Sequence, residues 1–141
     1  MDDIFVARVM SPDVYTVSPE TLVEDAATEM LDRGIGSVVV VDDANGLEGI
    51  LTSTDFVRIV AERKPKDRTP VSRYMTTNVV TASAQDTVRQ VADLLTDNGF
   101  HHVPIVDDTE GVIGMVSTTD LTAYLSEAEL ASPASAGEGG R

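Results

Sequence analysis

The heptapeptide Gly114-Met115-Val116-Ser117-Thr118-Thr119-Asp120 reads as a hydrophobic strand that runs into hydroxyls and then an acid, and the apolar run Leu121-Thr122-Ala123-Tyr124-Leu125 follows it. The same text occurs earlier as Gly49-Ile50-Leu51-Thr52-Ser53-Thr54-Asp55, followed by Phe56-Val57-Arg58-Ile59-Val60. The two aspartates, Asp55 and Asp120, lie 65 positions apart. Each copy describes a strand-to-helix corner, and the rest of the chain reads as scaffolding that holds the two corners.

The offset holds outward from the corners. Residues 6–62 can be written above residues 71–127 without a gap. Arg8/Arg73, Met10/Met75, Val14/Val79, Thr16/Thr81, Ala27/Ala92, Gly34/Gly99, Asp42/Asp107, Gly46/Gly111 and Gly49/Gly114 match. Such an internal repeat decides the architecture before any local pattern does. Thr21 and Thr87 look like counterparts but sit one residue out of step, so the turn before that helix is expected to differ between halves.

Each half carries the same succession. A short lead-in (Phe5–Met10, Val71–Met75) reaches a strand, Val14–Val17 or Val79–Ala82. Ser18-Pro19-Glu20 or Ser83-Ala84-Gln85 then marks a turn and a helix start. Leu22, Val23, Ala26, Ala27, Met30 and Leu31 recur at helical spacing, as do Val88, Val91, Ala92, Leu94 and Leu95. Gly34 and Gly99 stand where a helix ends on glycine. Val38–Val41 and Val103–Val106 are unbroken apolar runs, the mark of strands buried on both faces. Turns rich in Asp, Asn and Gly (42–46, 107–111) lead to a third strand ending at Thr52 or Ser117, then a last helix. The prediction is an α+β fold of two β-α-β-β-α repeats packed pseudo-symmetrically about a shared core. A 57-residue unit is marginal alone because it buries a small fraction of its surface. The expected boundaries are repeat one at 1–63, a charged linker with two prolines at 64–70, repeat two at 71–130, and a disordered Ser/Ala/Gly-rich tail at 131–141.

Composition narrows the function classes. The 42% apolar content supports a core, and with three tyrosines, three phenylalanines and no tryptophan that core must be aliphatic. The absence of cysteine excludes disulfides, thiolate metal sites and cysteine nucleophiles, and fits a cytoplasmic protein. No apolar run approaches the roughly 20 residues of a membrane span, and Met1-Asp2-Asp3 is unlike the basic start of a signal peptide. The net charge is −14, with only Lys64 and Lys66 as lysines, so no basic patch for nucleic acid is visible. Such acidity suits a high-salt cytosol, where the Debye length falls to about 3 Å at 1 M and self-repulsion is screened.

The residues now quoted resemble a tandem pair of CBS domains, the regulatory module named after cystathionine beta-synthase. Val9-Met10-Ser11 and Tyr74-Met75-Thr76, the threonines Thr16 and Thr81, Gly99-Phe100-His101-His102-Val103-Pro104-Ile105-Val106-Asp107, and the closing Gly-x-x-Thr/Ser-x-x-Asp of both halves carry the likeness. It covers nearly all the chain to about Glu127. The resemblance implies two clefts between the halves that take adenosine-containing ligands: AMP, ADP, ATP or S-adenosylmethionine. It implies no required cofactor, magnesium as a companion of ATP, a homodimer built through the helices, and a target protein that responds to occupancy.

The candidate sites have plainer readings too. Thr52-x-x-Asp55 and Ser117-x-x-Asp120 are capping-box patterns, in which side chains satisfy free N–H groups of a helix end. The same corner suits a sugar-phosphate, since a helix N-terminus favours anions and a carboxylate can accept ribose hydroxyls. In the family the acid holds ribose, and Thr52, Thr54, Ser117 and Thr119 face ribose or phosphate. His101 and His102 point to opposite faces of a strand, a poor metal pair, and by resemblance they stand where basic residues reach phosphate. Repeat one has Gly36 and Ser37 there, so one cleft is expected to hold a titratable cation that the other lacks. Thr16 and Thr81 correspond to the strand whose backbone recognises adenine in the family, with Val38, Val103 and Pro104 flanking the base; plain strand and core roles serve equally. Arg8, Arg58 and Arg73 lie near the corners and read as exposed salt-bridge partners. The acidity favours AMP, a neutral nucleoside or S-adenosylmethionine over bare ATP. No nucleophile–base set, phosphate loop or metal box is visible. The leading expectation is a non-catalytic sensor of adenosyl ligands; its rivals are a dimerisation module with vacant clefts and a nucleotide-processing enzyme.

Overall fold

A computed structural model describes residues 4–131 of the chain. Repeat one contains β1 (Thr16–Val17), α1 (Val23–Arg33), β2 (Ser37–Val41), β3 (Leu47–Thr52) and α2 (Ser53–Ala61). Repeat two contains α3 (Val88–Asn98), β4 (His102–Asp107), β5 (Gly111–Ser117) and α4 (Thr118–Ala131). A single 3-10 turn opens each half, at Val6–Arg8 and Val71–Arg73. The expected tail lies outside the described residues, save Ala131, which ends α4.

The first strand is shorter than the sequence suggests. In repeat one it is two residues, not Val14–Val17, and runs parallel to β2, which pairs antiparallel with β3. In repeat two the stretch Val79–Ala82 forms no strand, only a parallel bridge from Ala82 to Ile105 beside the β4–β5 pair. Proline is the cause. The Val39 N–H donates to the Tyr15 carbonyl at 3.1 Å, whereas the residue 65 positions on is Pro104, which has no N–H to give. What survives is Ala82 N–H to Pro104 O at 3.1 Å and Val106 N–H to Ala82 O at 2.9 Å.

The helices follow their apolar spacing. α1 buries Val23, Ala26 and Met30, and α3 buries Val88, Val91 and Leu95. Leu31, expected on the same face, is 83% exposed. Gly34 (φ 65°) and Gly99 (φ 66°) close the helices in the left-handed conformation. There the N–H groups of Ile35 and Phe100 reach back to Met30 O (3.0 Å) and Leu95 O (2.9 Å). The preceding turns do not differ in backbone as expected. Thr21 N–H bonds Ser18 O at 3.1 Å, and Asp86 N–H bonds Ser83 O at 3.0 Å. Thr21 therefore pairs with Asp86, and the helix caps are Leu22 and Thr87. The difference is chemical: Thr87 and Gln90 exchange hydrogen bonds of 3.1 and 2.8 Å in a capping box, and Leu22 has no oxygen to offer.

Each half donates its lead-in segment to the other. Val6 N–H bonds Asp86 O and Val71 N–H bonds Thr21 O, both at 2.8 Å. The first N–H of α3 donates to Ile4 O at 2.9 Å, and that of α1 to Thr69 O at 2.8 Å. Ser11 bridges Met115 of β5, and Thr76 bridges Ile50 of β3. Val6 is fully buried in the core of repeat two, and Val71 in that of repeat one. Burying such a side chain is worth about 1.5–3 kcal/mol. The core that the two repeats share lies at the seam around Val39, Ile50, Val112 and Met115, and each repeat adds a cluster of its own, completed by the borrowed segment. The reason is that each sheet has two apolar faces, one covered by helices and one by the other sheet. The repeats come close enough at the seam that a Cβ on Gly111 would collide with the Asn45 carbonyl.

Candidate functional site

The two corners are built alike. Thr52 and Ser117 end β3 and β5, and the next residue starts a helix. The N–H of each donates to its aspartate's Oδ2 at 2.8 Å, and the hydroxyls of Thr52 and Ser117 reach the same Oδ2 at 3.2 and 3.0 Å. The Asp120 N–H completes the box by donating to Ser117 Oγ at 3.1 Å. The capping role is thus fulfilled, and it consumes one carboxylate oxygen. The other oxygen, Oδ1, is turned outward in both. Arg58 Nη1 lies 3.4 Å from Oδ1 of Asp55, and the Ser11 hydroxyl donates to Oδ1 of Asp120 at 3.0 Å.

Each corner aspartate lines a cleft walled by both repeats. The cleft of Asp55, about 440 Å³, runs from the β3–α2 corner across to residues 78–80 and 99–102 of the other half. The cleft of Asp120, about 470 Å³, runs from the β5–α4 corner to residues 13–15 and 34–37. The lead-in exchange makes this possible, because it lays Thr76 beside the first corner and Ser11 beside the second.

The structure brings most of the candidate residues to these clefts. Thr52, Thr54, Asp55, His101 and His102 line the first; Ser37, Ser117, Thr119, Asp120 and again His102 line the second; Gly36 touches both. Thr16, Val38, Thr81, Val103 and Pro104 are outside both linings. Val38 and Val103 are fully buried in the two repeat cores, Pro104 is buried beside them, and Thr81 is exposed. The chain enters each cleft one to three residues before the threonines, at Asp13-Val14-Tyr15 and Asn78-Val79-Val80. The two triplets are related by the 65-residue offset, so either one, once placed in a cleft, predicts the other. Arg58, read as a plain surface cation, pairs with Asp55 and Glu62 yet also lines the first cleft.

His102 corrects the expectation that one cleft lacks a titratable group. Its ring lies over Gly36, where an added Cβ would come within 3.3 Å of Nε2, and it therefore forms part of both walls. Burial holds its pKa below the ordinary histidine value, His101 pushes the same way, and Asp120 pulls against them. Burial therefore favours the neutral imidazole. Among the described residues no cluster of His, Cys, Asp and Glu fits a metal, and no helix is long and apolar enough to cross a membrane.

Two segments, residues 6–62 and 71–127, each match the family model of the CBS domain. The chain belongs to the CBS domain family. A CBS relative, an uncharacterized 17.7 kDa protein of Acidianus ambivalens, is 34% identical over 120 residues, which cover 85% of this chain and 72% of that protein. A homoserine O-acetyltransferase of Methanosalsum zhilinae is 31% identical over 125 residues; the match covers 89% of this chain but only 25% of that protein. Among solved structures, the CBS domain pair of protein MJ0100, in complex with 5′-methylthioadenosine and S-adenosyl-L-methionine, superposes with a TM-score of 0.79 at 27% identity, covering 88% of this chain and 97% of that one. The two repeats of this chain, packed as a pair, have the fold of that CBS domain pair.

Proposed function

We propose that this CBS pair is a non-catalytic regulatory module that binds adenosine-containing ligands in its two clefts and signals occupancy to a partner. The observation that carries the proposal is that Asp55 and Asp120 each line a cleft made by both halves, with only Oδ2 taken up by the helix cap. A carboxylate so placed can accept ribose hydroxyls, as acids do in dinucleotide sites. The hydroxyls of Thr54 and Thr119 and the helix N-termini are available for the 5′ side. The adenosyl ligands held by the MJ0100 pair favour the same reading.

A ligand touching both halves shifts their arrangement only by its difference in affinity between arrangements. The responding surface, in this proposal, is the α1–α2 face. Leu31, Val57 and Val60 are 83%, 65% and 66% exposed there, more apolar surface than a helix facing water needs. We assign that face to a homodimer in the cytoplasm, with a target protein beyond it. No cofactor is required in this scheme, and magnesium enters only as the companion of ATP. The rival is a dimerisation module whose clefts stay vacant.

Calorimetry and thermal melting with AMP, ATP with and without magnesium, and S-adenosylmethionine decide between them. A ligand at 100 times its dissociation constant should add about 2.7 kcal/mol of stability. Neither heat nor a raised melting temperature with any of them would leave the dimerisation module standing. Gel filtration yielding only a monomer would remove the homodimer.

A further inference from the structure

The clefts are alike in shape and differ in charge: Asp55 and Arg58 balance in the first, and Asp13 and Asp120 leave the second negative. Asp55 is answered by Arg58, three residues along α2, whereas the residue in the same place on α4 is Ala123. The uncharged Asn78 lines the cleft of Asp55, and its counterpart Asp13 lines the cleft of Asp120. His101 lines the first cleft, and Gly36 holds the equivalent position in the second. His102 belongs to both walls and does not discriminate. Arg33 lies over the Tyr15 ring near the second cleft, at 4.6 Å, but its guanidinium is paired with Glu29 at 2.8 Å. Every difference runs in one direction. Apart from the shared His102, the first cleft sets one carboxylate against an arginine and the His101 ring. The second has two carboxylates and, among the described residues, neither arginine nor lysine in its lining.

We infer that the two clefts are chemically sorted: the Asp55 cleft takes an adenosine ligand that carries a phosphate, and the Asp120 cleft takes one whose 5′ substituent is uncharged or cationic. The inference rests on the proposal that the clefts bind adenosine, and goes beyond it by assigning a ligand charge to each. A phosphate entering beside Asp13 and Asp120 meets two like charges within a half-enclosed groove, with no cation to offset them. The same entry at the first cleft meets a guanidinium suited to bidentate phosphate contact. A sulfonium with an ammonium group reverses both preferences.

The test is calorimetry on the full chain at fixed salt and pH 7, with AMP and S-adenosylmethionine as probes. AMP is expected to fill one site per chain and to bind unchanged after saturation with S-adenosylmethionine. Arg58→Ala should weaken AMP by about tenfold, the usual scale of one lost charge-assisted contact, and leave S-adenosylmethionine alone. Asp13→Asn should weaken S-adenosylmethionine alone, and Asp13→Asn with Ala123→Arg should create a second AMP site. Two equal AMP sites in the unaltered chain, competition between the probes for one site, or loss of S-adenosylmethionine on Arg58→Ala overturns the sorting while leaving adenosine binding intact. Silence from both probes overturns the sorting together with the reading beneath it. Arg58 and Asp13 are exposed, and if either variant melts early, the competition on the unaltered chain decides alone.

Discussion

Repeat one and repeat two keep the same corner and differ in two things near it, the first strand and the cap of the first helix. Repeat one has a three-stranded sheet and an α1 without a side-chain cap; repeat two has two strands, a lone bridge and a capping box on α3. The differences trade against each other. Pro104 removes a ladder bond from repeat two, and Thr87 with Gln90 returns two side-chain bonds at the helix start. The fold therefore tolerates changes in local bonding so long as Asp55 and Asp120 remain at the mouths of the clefts.

The sharpest way to break that comparison lies at Gly49 and Gly114, equivalent glycines against which the borrowed segments pack. A Cβ on Gly49 would meet Met75 at 2.7 Å and the Thr76 carbonyl at 2.9 Å, and that carbonyl is fixed by its bridge to Ile50. The three atoms nearest a Cβ on Gly114 all belong to the side chain of Met10, an unbranched thioether that can change rotamer. Gly49→Ala should cost about 2–3 kcal/mol and Gly114→Ala about 1 kcal/mol. Urea unfolding measures both, and equal costs would contradict the asymmetry. Next in size is Thr87→Ala, expected to cost about 1 kcal/mol and to bring hydrogen exchange at the start of α3 towards that of α1. Smaller still is a pH effect peculiar to repeat two. His102 has a folded pKa below its unfolded value, so its contribution is complete above about 6.5 and is lost as pH falls through the lowered value. Melting between pH 7 and 5 should show the decline, and His102→Gln should flatten it. The least costly change is Pro104→Val, which restores an N–H for the Val80 carbonyl. Stability should move by less than about 1 kcal/mol, while exchange of the new amide at that position slows. A fast amide there would show that something other than proline cuts the strand.

The element order was legible because a helix and a buried strand each print their period on the sequence, and because the second copy checked the first. The ends were less so. Pro104 sat inside an apolar run, where burial was visible and the missing donor mattered only once its partner strand was known. The corner aspartates were legible from their spacing alone, although that spacing serves a helix cap equally well. Asp13-Val14-Tyr15 and Asn78-Val79-Val80 were passed over because nothing in an extended stretch says which residue leaves the sheet and enters a groove. The exchange of lead-in segments could not be read at all. A constant offset is unchanged whichever half a segment packs on, so only the Val6–Asp86 and Val71–Thr21 bonds reveal it.

That exchange bears on how the chain is made. While the first half emerges from the ribosome it lacks Val71 and Thr76, and it cannot close its own interior until the start of the second half has followed. The segment around Val6 emerges before the second half and must wait for Asp86 and Val88 before it finds a place. Pairing Ile4 and Val6 with residues about 80 positions on raises the sequence separation of contacts, which slows folding in small domains. Folding of this chain is then a single late event, with neither half able to finish ahead of the other.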